Sequence, residues 1–255
     1  MSLYSDEGVV LRTIRLGEAD RIVSFATAEH GKVRAVAKGV RKTTSRFGAR
    51  LEPATRVRML CWRGRELDVV SQAQVVEGFR RTRESLGRLA KAYAMLEVVD
   101  QLAPERVPVP ELYAMLVGAL GVLEADDPAM VVPAFILKVL VSEGSAPVLD
   151  MCAACGCTSA LVAFDLGQGG ALCRSCRRGR PVSGEALALM RLVLGGKLRE
   201  ALGEPEGSLA SEVAEITTEA IEHHLERRVR SLHTNLQAHS APREPLTQKG
   251  DAPGR

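Results

Sequence analysis

Five of the chain's six cysteines fall within MCAACGCTSALVAFDLGQGGALCRSC, residues Met151 to Cys176. Cys152 and Cys155 form one C-x2-C pair, Cys173 and Cys176 form another, and seventeen residues separate the pairs. This is the spacing of a structural zinc site. Each C-x2-C turn aims two sulfurs at one point, and two such turns complete a tetrahedron around Zn²⁺. Gly156 permits the positive φ of a tight turn after the first pair. ALVAFDLGQGGALC reads as two short strands joined by the turn GQGG. The pattern predicts a small zinc ribbon with one structural ion on Cys152, Cys155, Cys173 and Cys176. Cys157 lies too close to Cys155 to join the same turn without displacing Cys152, and is read as a spectator.

The competing use of such thiols is a pair of disulfides. That would need an exporting context, and MSLYSDEGVVLRT has no basic segment followed by an apolar core. No stretch approaches the roughly 18 apolar residues of a membrane span. In a reducing compartment paired thiols bind metal, so a cytoplasmic protein with no membrane partner is expected. Four thiolates also close the coordination shell, whereas catalytic zinc keeps a position open for water.

Charge divides the chain. The formal net charge is only +3, but residues 1–81 carry sixteen Lys and Arg against nine Asp and Glu, net +7. The remainder carries eighteen against twenty-two, net −4. An asymmetry of this kind points to a polyanionic partner for the basic part.

GVVLRTIR, DRIVSFATA, KVRAVAK, TRVRMLCW and ELDVVSQAQVV are five β-rich runs in the first 80 residues. Five strands in that length suit an OB-type barrel, a fold that binds oligonucleotides. Alternation puts Val33, Ala35 and Ala37 on one face of the third strand, with Lys32, Arg34 and Lys38 on the other. In the fourth, Val57, Met59 and Cys61 face inward, leaving Arg56, Arg58 and Trp62 outside. Cations that follow phosphates and a ring that stacks on bases are what single-strand binding needs. The alternative is a solvated exterior with Trp62 covered by the neighbouring domain. A sharper signal is the loop KGVRKTTSRFGAR, in which Lys38, Arg41, Lys42, Arg46 and Arg50 surround Phe47 without one acidic residue. Such a run repels itself unless a polyanion arrives.

From about residue 81 the period becomes helical. Leu86, Leu89, Tyr93, Leu96 and Val99 mark one stripe. Asp126 and Asp127 before Pro128 read as a helix cap. Further amphipathic helices follow the ribbon, and from Gln237 the chain is polar and Pro/Gly-bearing, as in a disordered segment. The expected organisation is α+β: a five-stranded OB-type β-barrel (1–80), then an α-helical domain (81–150 and 179–236) interrupted by a four-cysteine zinc ribbon (151–178), and a tail (237–255).

VAKGVRKTTSRFGARLEP after a hairpin, the ribbon CAACG…AFDLGQGGALCRSC, and the ending HHLERRVRSLHTNL together resemble the RecO family of bacterial recombination mediators. The resemblance runs from about Glu7 to Leu236. It implies an N-terminal OB fold, a helical domain and a four-cysteine zinc site. It further implies binding of single- and double-stranded DNA and annealing of complementary strands without ATP. The partners it implies are RecR and the acidic, hydrophobic tail of the single-stranded-DNA-binding protein (SSB), with RecA loaded on coated DNA. Arg83, Arg88 and Lys91 are basic helix residues that could meet the carboxylates of that tail, with a plain solvated face the simpler alternative for each. The family often carries an aromatic after its leucine-x-proline, where this chain has Ala54.

No enzyme motif is complete. LGGK lacks the first glycine of a P-loop, because Arg191 stands there, and GQGGAL fails the dinucleotide fingerprint at Leu172. The reading is a non-enzymatic, nucleoid-associated DNA-binding mediator. Two others stay open: an RNA-binding OB and zinc-ribbon protein, and a basic adaptor that docks on acidic proteins.

Overall fold

The computed structural model describes residues 2–42, 45 and 47–234. Arg46 and the whole of the expected tail lie outside the described residues.

Strands β1 (Leu3–Leu16), β2 (Asp20–Thr27) and β3 (Gly31–Ala37) form an antiparallel meander. With β4 (Arg56–Trp62) and β5 (Asp68–Glu77) they close a barrel in the order β1-β2-β3-β5-β4. Closure uses β4 against β1, from Leu3 opposite Trp62 to Val9 opposite Arg56, and a short parallel contact of β3 with β5. The faces follow the period of two. Val33, Ala35, Ala37, Val57, Met59 and Cys61 are buried, while Arg58 and Trp62 are exposed. Phe47 and Leu51, at either end of a single 3-10 turn, join the same core.

Two short breaks reshape the helical reading. α1 (Arg80–Glu84) and α2 (Leu86–Leu102) are separate because Ser85 is extended and caps α2, its Oγ accepting from the Arg88 N–H. The predicted stripe is only partly buried: Leu86, in the first turn, is 84% exposed. α2 instead buries Ala92, Met95, Leu96, Val98 and Val99. It lies between the barrel and two further helices, α3 (Pro110–Ala125) and α4 (Val131–Ser142), and so needs a wider apolar face than a surface helix. The expected aspartate cap is also corrected. Met130 precedes α4 without a side-chain cap, and Asp127 faces α2, where it pairs with Lys91 at 2.8 Å. A buried lysine requires that partner.

The ribbon consists of β6 (Leu161–Asp165), β7 (Gly170–Cys173) and β8 (Arg180–Pro181), in the order β7-β6-β8. Helices α5 (Gly184–Leu194), α6 (Leu198–Leu202) and α7 (Ser208–Leu225) follow. α4 packs on α5 and α7, so the helices before and after the ribbon share a core. Phe164 and Ala171 of the ribbon enter it. α7 stops where Glu226 turns left-handed. The next turn begins where Glu97 accepts the N–H groups of Arg230 (3.1 Å) and Ser231 (2.8 Å).

Barrel and helices are joined firmly. Lys32 N–H donates to Pro104 O at 3.2 Å, and Arg106 N–H donates to Lys32 O at 3.0 Å. Gly31, at φ 70°, lies so close that a Cβ would stand 2.0 Å from Val107 O. Asp68, fully buried, accepts from Tyr4 Oη at 2.5 Å, Gly64 N–H at 2.9 Å and Arg106 Nη2 at 2.9 Å. Among the described residues, no helix is long and apolar enough to cross a membrane.

Candidate nucleic-acid interface and metal centre

The basic residues singled out in the sequence separate into two groups. Lys38, Arg41 and Lys42 are exposed on the loop after β3. Arg41 anchors that loop to the β1–β2 turn, its Nη1 donating to Glu18 O at 2.8 Å. A carbonyl fixes the guanidinium without cancelling its charge. Gly39 N–H donates to Asp20 Oδ1 at 2.7 Å, which fixes the start of the loop. Arg50 and Arg58 line one cleft with Ser5, Gln72 and Gln74, over a floor that includes Phe47 and Met59. Trp62, at the end of β4, is 41% exposed and not covered by the helices.

The other group belongs to the scaffold. Lys32 Nζ donates to Asp100 O at 2.7 Å, and Arg34 pairs with Glu105 at 3.6 Å, so the helical domain engages both. Arg56 pairs with Glu7 at 3.0 Å, the carboxylate that Arg58 also reaches at 3.4 Å. Phe47 is corrected from an exposed ring to a core residue, 1% exposed. One apolar residue in a polar loop folds inward to close the barrel end. The cations expected to meet an acidic peptide are likewise internal. Arg83 donates to Gly78 O and Pro53 O, and Arg88 donates to the last carbonyls of α3 at Leu123 and Glu124.

The cysteine turn is built by two backbone bonds: Gly156 N–H to Cys152 O and Cys152 N–H to Cys157 O, both 2.8 Å. Gly156 takes φ 74°, the left-handed conformation expected of it. The sulfurs of Cys152, Cys155, Cys157 and Cys173 lie within 4.8 Å of one another. The spectator role assigned to Cys157 is therefore corrected. The chain doubles back at Gly156, which returns Cys157 toward Cys152 instead of crowding it away. Cys176 packs against the same cluster from the 3-10 turn that follows β7. The Cys173 N–H bonds the Cys152 sulfur and, against burial, with help from the Cys155 and Ala154 N–H groups, brings its pKa down to about 6. The shift of Cys152 favours the thiolate, the form that ligates metal. Clustered sulfurs of this kind could hold a metal ion that favours soft donors. Cys61 is the contrasting case: burial in the barrel pushes it up to about 12.

Two sites escape a sequence reading. Arg12, Lys32, Tyr93, Arg227, Arg228 and Arg230 line a groove between barrel and helices. Its two acids are engaged, Asp100 by Arg12 at 2.8 Å and Glu97 by the backbone of the C-terminal turn. The RRVR run carries the only local signal. A second, apolar groove lies among α3, α4 and α6, lined by Met115, Ala119, Val122, Phe135, Leu202 and Lys138.

Fold and site define an α+β protein in which an OB-type barrel is joined to a helical domain bearing a cysteine cluster. Residues 1–79 match the family model described as Recombination protein O N terminal, and residues 83–233 match Recombination protein O C terminal. The chain is similar to the DNA repair protein RecO of Frankia casuarinae, 42% identical over 242 residues, covering 91% of this chain and 98% of the relative. It is also similar to the DNA repair protein RecO of Bifidobacterium adolescentis, 40% identical with the same coverage. The chain belongs to the RecO family of DNA repair proteins.

Proposed function

We propose that this chain is a non-enzymatic recombination mediator. It binds single- and double-stranded DNA and anneals complementary strands without ATP. With RecR, it helps load RecA on single strands coated with SSB. The observation that carries this reading is the loop after β3, where Lys38, Arg41 and Lys42 stand exposed with no carboxylate paired to them among the described residues. Phosphate contacts of such side chains position a strand without reading its sequence, as annealing of any complementary pair requires. Residues 1–80 are the DNA-binding unit, 81–150 and 179–236 the helical unit, and 151–178 the insertion. The site of action is the cytoplasm, at the nucleoid.

The ion assigned to the cysteine cluster is Zn²⁺, which when bound would cross-link the two C-x2-C turns and supply folding free energy to a ribbon with little core. The acidic, hydrophobic tail of SSB fits the groove of α3, α4 and α6, whose apolar walls suit its side chains and whose Lys138 suits its carboxylates. Met115→Asp and Lys138→Glu should each abolish saturable binding of that peptide at low salt while leaving oligonucleotide binding intact.

The decisive test of the mediator reading is annealing of complementary oligonucleotides by purified protein alone. The reading expects annealing without nucleotide, and competition by matched RNA weaker than by DNA. Equal or stronger RNA competition would favour an RNA-binding role, and failure to bind any bare oligonucleotide would favour the adaptor.

A further inference from the structure

We propose that Cys157 and Cys176 are alternative fourth ligands of one metal centre, whose constant ligands are Cys152, Cys155 and Cys173. The inference rests on the reading of this cluster as a metal site. Two observations assign different fourth ligands. Spacing selects Cys176, as the second member of the second C-x2-C pair. Sulfur positions select Cys157, which stands within 4.8 Å of the other three. Both sulfurs belong to half-buried residues, whereas Cys152 and Cys173 are buried. Cys155, though exposed, is common to the set that spacing gives and the set that sulfur positions give. The two alternatives also come from different turns: Cys157 from the Gly156 turn, Cys176 from the 3-10 turn after β7. Either can enter or leave without moving the buried pair.

A tetrahedral thiolate site takes four ligands, and five thiols gather here. The fifth has somewhere to rest. Cys157 Sγ lies 3.2 Å from Ser159 Oγ, a partner for the thiol when Cys176 is the ligand. Exchange balances simply. As one metal–sulfur bond forms the other breaks, and the leaving thiolate takes up the proton that the incoming thiol gives up. No oxidant is needed, and the charge of the centre is unchanged. The consequence is tolerance at the edge, meaning Cys157 and Cys176. Loss of either edge thiol leaves one of the two ligand sets complete, whereas loss of Cys155, which belongs to both, leaves neither complete.

The test compares wild type, Cys157→Ser, Cys176→Ser, the double variant and Cys155→Ser, purified without chelator, by metal content per folded chain. Wild type and both edge single variants should hold about one ion, and the double variant and Cys155→Ser should lose it. Retention of the ion by Cys155→Ser would overturn the constant role of Cys155. Cobalt substitution should give the intense thiolate charge-transfer band of a four-sulfur site in both edge singles. Loss of the ion from Cys176→Ser alone, or from Cys157→Ser alone, would overturn the proposal while leaving the metal reading standing. A wild-type chain without metal would overturn the metal reading itself. If a single variant fails to fold, limited alkylation of the metal-loaded wild type decides. Modification shared between Cys157 and Cys176 supports exchange, and modification of one alone refutes it.

Discussion

Lys32, Arg34 and Arg56 on the barrel strands are half-buried against acceptors, whereas Lys38, Arg41 and Lys42 on the loop after β3 are exposed, with Arg41 held only by backbone carbonyls. Lys32 reaches Asp100 O, Arg34 reaches Glu105, and Arg56 shares Glu7 with Arg58. Lys38, Arg41 and Lys42 are exposed, and among the described residues no carboxylate pairs with them. A strand carries its charges against the next element of the fold, where desolvation has to be offset by an acceptor. A loop carries them outward, where their mutual repulsion is relieved by a polyanion. Lys32 and Arg34 hold the barrel to the helical domain, and Arg56 holds β4 to β1. On the proposed function, the loop cations are the ones that contact DNA.

This division predicts that stability and binding respond to different residues. The largest loss of stability is expected at Phe47, which belongs to the loop in sequence and to the core in space. Phe47→Ala should destabilise the fold by roughly 3–5 kcal/mol, measured by urea unfolding. Were the ring a base-stacking platform instead, stability would hold and only oligonucleotide affinity would fall.

Asp68→Ala comes next, at about 3 kcal/mol, because Tyr4 Oη and the Arg106 guanidinium lose a buried partner. Burial pushes the Asp68 pKa up, but hydrogen bonds from Tyr4, Gly64 and Arg106 outweigh it and hold the carboxyl below its usual value. The group therefore contributes stability above the ordinary carboxylate range, and that contribution is lost as pH falls through the lower folded value. Wild type should lose stability with acid more steeply than the variant, as thermal unfolding across pH will show.

Lys32→Met should be milder, about 1 kcal/mol from the lost bond to Asp100 O. Its salt dependence of DNA binding should match wild type. A flattened slope would move Lys32 from the scaffold to the interface.

The barrel was readable because its signal is local. Period-two alternation in KVRAVA and RVRMLCW places the same residues inside that the fold buries. Partners of the basic residues were not readable, because they lie far along the chain. Asp100 O meets Lys32 across 68 residues, and Glu7 meets Arg56 across 49. Phe47 was hidden by its neighbours, although Phe47 and Leu51 four apart around one turn were a usable clue. Spacing located the cysteine cluster but not the place of Cys157 within it. C-x2-C counts residues, and only the turn at Gly156 shows where the Cys157 sulfur goes.

The most direct test of the division is the salt dependence of single-strand binding for two triple variants. One replaces the loop cations (Lys38→Gln, Arg41→Gln, Lys42→Gln), the other the strand cations (Lys32→Gln, Arg34→Gln, Arg56→Gln). The loop variant should unfold within about 0.5 kcal/mol of wild type yet flatten the slope of log K against log salt by about 2. The strand variant should lose stability and keep the wild-type slope. The opposite pattern, a loop variant with an unchanged slope and a strand variant with a flattened one, would contradict the account.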